Sequence, residues 1–177
     1  MTLSLKPLFS AEDIAQRVQA LAHSIDQDYH NTPLTVVGIL KGSWIFMADL
    51  VRSLTIPIEN LEFLQLSSYG DNTTSSGKVE ILLNLKPESI RGKHLLIIED
   101  IIDTGFSLQT TLDLLHPYHP ASLRICTLLD KPSRRQIEVK IDYYGFQIAN
   151  DFVVGYGLDY QQNYRHLPAL YTITPHF

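Results

Sequence analysis

One transition, repeated along the chain, constrains its fold more than any other feature. A short, mostly apolar run stops against charged or small residues, and a helical pattern follows. Leu34 to Leu40 gives way to Lys41-Gly42-Ser43, after which Trp44 to Leu54 reads as a helix. His94 to Ile98 stops at Glu99 and Asp100; Asp103-Thr104-Gly105 then turns into a helix marked by Leu108, Leu112 and Leu115, up to Pro117. Leu123 to Leu129 ends on Asp130-Lys131-Pro132. Such runs leave no polar face for water and suit a parallel sheet buried on both sides. Strands alternating with helices predict an α/β fold with a mainly parallel central sheet flanked by helices. Ligands of such folds bind beyond the carboxyl ends of the strands. Lys41, Glu99, Asp100, Asp103 and Lys131 gather there.

The rest of the chain fits around this frame. Ser10 opens a helix, with Asp13 three residues on as a capping-box acid. Ile14, Val18, Leu21 and Ile25 give that helix one apolar face, and Asn31-Thr32-Pro33 breaks it. Leu61 to Leu66 and Val79 to Leu85 read as strands on either side of Ser67 to Lys78. That connecting stretch is nearly all small or polar and reads as a mobile loop of a long hairpin. A length of 177 residues predicts one domain, residues 1–177. A net charge of -5 argues against nucleic acid as a partner. The single cysteine, Cys126, forms no internal disulfide, which fits a reducing cytoplasm. Met1 to Pro7 has no apolar run behind a basic start, so a signal peptide is not expected. No stretch approaches the roughly 18–20 apolar residues of a membrane span.

The chemistry concentrates in Leu95 to Ser107. Two adjacent carboxylates at the end of an apolar strand are costly unless a partner compensates them. Glu99 and Asp100 can accept hydrogen bonds from a vicinal diol, such as the 2′ and 3′ hydroxyls of ribose, and can help to hold a divalent cation. The turn Asp103-Thr104-Gly105-Phe106-Ser107 enters a helix, where hydroxyls and backbone N–H groups make an anion cradle. Together these describe a ribose-phosphate site. Plainer readings are a solvated strand end and a helix-capping Asp103. An aspartic protease needs a second Asp-Thr-Gly, which only a homodimer would supply here. No G-x-x-x-x-G-K-[ST] phosphate loop occurs.

The same segment closely resembles the thirteen-residue phosphoribosyl-pyrophosphate signature of the type I phosphoribosyltransferases: apolar residues, Glu-Asp, two apolar residues, Asp-Thr-Gly, any residue, then Thr or Ser. Leu40-Lys41-Gly42-Ser43 resembles the pyrophosphate loop of the hypoxanthine-guanine branch, whose members hold the Leu–Lys peptide in cis. Ser68-Tyr69 falls where that branch has its catalytic lid. Asp130-Lys131-Pro132, Tyr144-Gly145-Phe146, Asp151 to Tyr160 and Tyr164-Arg165 resemble its purine-binding half.

The resemblance implies the type I phosphoribosyltransferase fold, with a flexible lid hairpin (loop about 67–78) and a small base-binding hood (about 130–165). It implies a purine salvage enzyme that transfers the 5-phosphoribosyl group to hypoxanthine, and to guanine. Asp103 would be the general acid or base, with Ser68 and Tyr69 in the closing lid. Lys41, Gly42, Glu99, Asp100, Thr104, Gly105, Phe106, Ser107 and Arg165 would bind phosphoribosyl pyrophosphate. Lys131 would meet the 6-oxo group, Phe152 would stack on the base, and the Val153 backbone would bond it. Magnesium is the implied cofactor, at Glu99, Asp100 and Asp159. A homodimer or homotetramer is the implied assembly. Two alternatives stay open: a regulatory nucleotide sensor on the same fold, and an enzyme that prefers another base, such as xanthine.

Overall fold

The computed structural model describes residues 3–68, 79–83 and 85–175. In chain order the elements are β1 (Leu3–Phe9), α1 (Ala11–Tyr29), β2 (Leu34–Leu40), α2 (Trp44–Ser53), β3 (Ile58–Ser68), β4 (Val79–Leu83), β5 (His94–Ile102), α3 (Phe106–Leu115), β6 (Ser122–Asp130), β7 (Tyr143–Gln147), β8 (Val153–Val154) and β9 (Leu170–Pro175). Six strands form the main sheet in the order β4-β3-β2-β5-β6-β7. Among the described residues five of them, β3 to β7 across that order, run parallel, and β4 is antiparallel to β3. A second, antiparallel sheet has the order β1-β9-β8.

Alternation along the central strands divides the core. Leu34 and Val36 of β2 and Leu96 and Ile98 of β5 face α1 and α2, where Ile14, Val18, Ile25, Phe46 and Leu50 pack. Val37 and Ile39 of β2 and Leu95 and Ile97 of β5 face α3, against Leu108 and Leu115. Both faces are covered, which is why these strands tolerate no charge until their ends. The α1 capping box forms as the spacing predicts: Asp13 N–H donates to Ser10 Oγ at 3.1 Å, and Ser10 N–H donates to Asp13 Oδ2 at 2.9 Å. From α1 the Arg17 guanidinium donates to Gly145 O at 2.7 Å and Tyr144 O at 2.8 Å, on the outermost strand β7.

Some expectations need correction. Glu99 and Asp100 do not end their strand: β5 runs on to Ile102, because β6 continues beside it and pairs Glu99 with Thr127 and Ile102 with Asp130. β3 begins earlier than the apolar run, at Ile58. β1, β7 and β9 carry no strong local signal. β1 exists through its pairing with β9, Leu3 opposite Pro175, a contact across the length of the chain.

Candidate active site

Loops leaving β2, β5 and β6 meet at one end of the main sheet, and the segment after β8 folds over them. At the end of β2 the Leu40–Lys41 peptide is cis, as the resemblance implies. The buried Ser43 hydroxyl donates to Ile39 O at 2.6 Å and so ties down the loop before α2. Gly42 lies so close to β5 that a Cβ there would sit 1.6 Å from Asp100 Oδ2. Gly157, at φ 103°, closes from the other side; a Cβ on it would lie 2.1 Å from Gly42 O. Three distant segments therefore converge through two positions without side chains.

Behind Gly42 stand the two acids. Glu99 is buried, and its Oε2 has no hydrogen-bond partner among the described residues. Burial, reinforced by the charge of Asp100, pushes the Glu99 carboxyl up to about 8, against the pull of Arg135. Burial pushes Asp100 up to about 6, while the Ile101 N–H, at 3.0 Å, favours its ionised form. Two carboxyls held this far above their ordinary range lack compensation that a ligand can bring, as hydroxyl donors or as a cation.

Next along β5, Asp103 to Gly105 makes the turn into α3. Gly105 has φ 93°, and a Cβ on it would meet Ile137 O at 2.7 Å. No side chain caps α3 at this residue, so the N–H groups of the first turn are left for an anion. A cleft of about 80 Å³ opens there, lined by Glu99, Asp103, Thr104, Gly105 and Ser107 among others.

The β6 end supplies the cations. Lys131 is buried, and burial pulls its ammonium down, opposed by the carboxylates of Asp103 and Asp151. Two residues that sequence reasoning passed over, Arg134 and Arg135, follow in the turn. Arg134 Nε donates to Asp103 Oδ1 at 3.0 Å. Arg135 pairs with the buried Asp130 and donates to Asp103 O at 3.2 Å. Gln147 completes Asp130 from β7 at 3.2 Å. The signal for this network was an Arg-Arg pair directly after the charged strand end.

In the hood, Phe152 is 52% exposed and meets Tyr160 edge-on, with centroids 5.5 Å apart. Val153 is buried and pairs with Thr172 of β9. Arg165 bonds Asp159 at 2.6 Å and Gly157 O at 2.7 Å, and its charge also reaches Asp100. Tyr156 OH donates to Asp49 Oδ2 of α2 at 2.6 Å and anchors the hood loop. Ser68 is placed through its backbone alone, opposite Val79 at the end of β3. Tyr69 and the rest of the expected lid, up to Lys78, lie outside the described residues.

Comparison with known proteins agrees with this arrangement. The family model for the phosphoribosyl transferase domain matches residues 4–161. The hypoxanthine phosphoribosyltransferase of Haemophilus influenzae is 48% identical over 163 residues, 90% of each chain. The hypoxanthine-guanine phosphoribosyltransferase of Dictyostelium discoideum is 46% identical over 171 residues, 95% of this chain and 94% of that one. The crystal structure of a hypoxanthine phosphoribosyltransferase from Staphylococcus aureus superposes with a TM-score of 0.90 at 43% identity, covering 96% of this chain and 91% of that one. With a paired-acid strand, an uncapped α3 turn and relatives alike over nearly their whole length, this chain belongs to the phosphoribosyl transferase domain family.

Proposed function

We propose that the protein is a purine salvage enzyme that transfers the 5-phosphoribosyl group of phosphoribosyl pyrophosphate to hypoxanthine, and to guanine, giving IMP or GMP and pyrophosphate. The carrying observation is the buried Glu99, its Oε2 unpartnered among the described residues, with Asp100 next to it and the uncapped N-terminus of α3 close by. Thr104, Gly105, Phe106 and Ser107 hold the 5′-phosphate with backbone N–H groups and hydroxyls. Glu99 and Asp100 accept the ribose hydroxyls. Lys41, Gly42 and Arg165 grip the pyrophosphate. The purine stacks on Phe152, bonds the Val153 backbone and presents its 6-oxo group to Lys131.

Purine N9 bonds to C1′ as the C1′–O bond to pyrophosphate breaks. Asp103 takes the proton from N7, so the base leaves the reaction neutral. Ser68 and Tyr69 act in the lid, which excludes the water that would otherwise capture the sugar.

Magnesium fits the donors present. Glu99 Oε2 is partnerless, and Asp100 and Asp159 offer further hard oxygens. Among the described residues no group of three or more acidic, histidine or cysteine side chains is placed to hold a metal ion by itself. Magnesium commonly keeps several waters and draws on substrate oxygens, so one or two carboxylates are enough protein ligands. When bound, it neutralises the pyrophosphate leaving group.

The same reading includes one domain over residues 1–177, a homodimer or homotetramer, and a cytoplasmic location without nucleic-acid or membrane partners. Leu61 and Phe63, two residues apart on β3, are both exposed on one face of that strand, apolar surface of the kind that a second copy can cover. Among the described residues no helix is long and apolar enough to cross a membrane.

Pyrophosphate release is the test, measured with hypoxanthine, guanine, xanthine and adenine in turn. Turnover with hypoxanthine and guanine supports the proposal. Turnover with xanthine alone assigns the enzyme to that base, and nucleotide binding without turnover on any base makes the chain a sensor.

A further inference from the structure

We infer that Arg134 is a positioning residue for the reaction: it holds one carboxylate oxygen of Asp103 so that the other faces the purine. The inference rests on the reading of Asp103 as the group that handles the N7 proton. Arg134 Nε donates to Asp103 Oδ1 at 3.0 Å, and among the described residues that carboxylate takes no other hydrogen bond from a side chain.

The backbone around Arg134 is stapled to the catalytic turn. Lys131 N–H bonds Ile102 O at 3.0 Å, and the N–H groups of Gln136 and Ile137 bond Thr104 O at 3.0 and 3.1 Å. The arginine therefore starts from a preset base, which lowers the entropy of holding its contact. The two adjacent arginines divide the work. Arg135 bonds the backbone at Ile102 and Asp103, while Arg134 addresses the side chain.

The purine explains why this contact matters. O6 and N7 are neighbouring acceptor positions on one edge of the base. A donor for O6 and a proton acceptor for N7 must stand side by side, here Lys131 and Asp103. Two such groups of opposite charge attract each other. Left alone, Asp103 collapses onto Lys131, and each masks the other from the base. Arg134 competes for Asp103 and leaves the Lys131 ammonium for the 6-oxo group. Both members of the Arg134–Asp103 pair are substantially exposed, 45% and 37%, so the pair adds little to fold stability. Its effect belongs in the kinetics.

The test compares wild type, R134Q, R134K, D103N and the D103N/R134Q double variant, with hypoxanthine and phosphoribosyl pyrophosphate varied separately. R134Q is expected to lower kcat/KM for hypoxanthine about tenfold and leave the KM for phosphoribosyl pyrophosphate within about twofold. R134K, which keeps the charge and loses the planar fork, recovers part of the loss. With Asn at 103, R134Q has no further effect. Wild-type efficiency in R134Q overturns the inference, as does an equal loss in both backgrounds. A loss that tracks a lowered melting temperature also overturns it, in favour of a structural role. Wild-type turnover in D103N instead removes Asp103 from the mechanism, a separate failure.

Discussion

Replacing Glu99 with glutamine in the substrate-free, magnesium-free protein tests whether the site stores an electrostatic cost. The glutamate is buried, its Oε2 is unpartnered, and its carboxyl is pushed from 4.5 up to about 8. The folded state therefore binds this proton more tightly than the unfolded chain does. The stabilising contribution is complete below the unfolded value near 4.5 and is lost as pH rises through about 8. At about 1.4 kcal/mol per decade of proton affinity, the ionised form costs the fold on the order of 4–5 kcal/mol. Asp100, pushed up to about 6, adds a slope that fades within about one pH unit above that value. The window from pH 6.5 to 8 is dominated by Glu99. Wild type should lose on the order of 2 kcal/mol of unfolding free energy across it. Glu99→Gln should be flat and should lose transferase activity. Urea titrations at the two pH values measure the difference. Parallel slopes in the two proteins would refute the reasoning, because the cost would then lie in another group.

Gly42→Ala places a Cβ 1.6 Å from Asp100 Oδ2, so that carboxylate must move by about 2 Å. The KM for phosphoribosyl pyrophosphate should rise well above that of the wild type, which steady-state kinetics checks. Lys131→Gln should narrow the preference for hypoxanthine over adenine, since an amide accepts as well as donates; the ratio of catalytic efficiencies reads it. Tyr156→Phe deletes the 2.6 Å bond to Asp49 and should cost about 1 kcal/mol in urea unfolding. It should also weaken pyrophosphate binding, because the same loop sets Gly157 against Gly42. Excess chelator should stop nucleotide synthesis and leave the far-ultraviolet circular dichroism unchanged.

What could be read in advance was local or contiguous. The Ser10–Asp13 capping box, the β2 and β6 runs and the acid-to-serine segment at 99–107 each lie within one stretch of chain, where spacing alone carries the physics. The cis peptide at Lys41 came through family resemblance, since Lys-Gly-Ser by itself is only a turn. What stayed hidden depends on contacts between distant segments. β1, interrupted by Lys6 and Pro7, shows no strand signal of its own until β9 pairs with it. The need for glycine at 157 comes from its φ of 103° and its approach to Gly42 O, both set by the fold. Asp130, read as part of a charged strand end, is buried and shared between Arg135 and Gln147. The roles of Ser68 and Tyr69 rest on resemblance.

The reach of Arg17 to the carbonyls of Tyr144 and Gly145 bears on the open margin of the main sheet. A strand at the margin of a sheet offers acceptors to any passing strand and can seed edge-to-edge aggregation. Successive carbonyls of a strand point to opposite sides, so with one planar side chain α1 takes one acceptor of the open edge of β7 and ties down its neighbour. Helix and strand stand 128 positions apart, so the helix emerges from the ribosome long before the strand that it protects. The contact therefore needs no segment that is translated after β7, because both of its partners exist once Gly145 has been made.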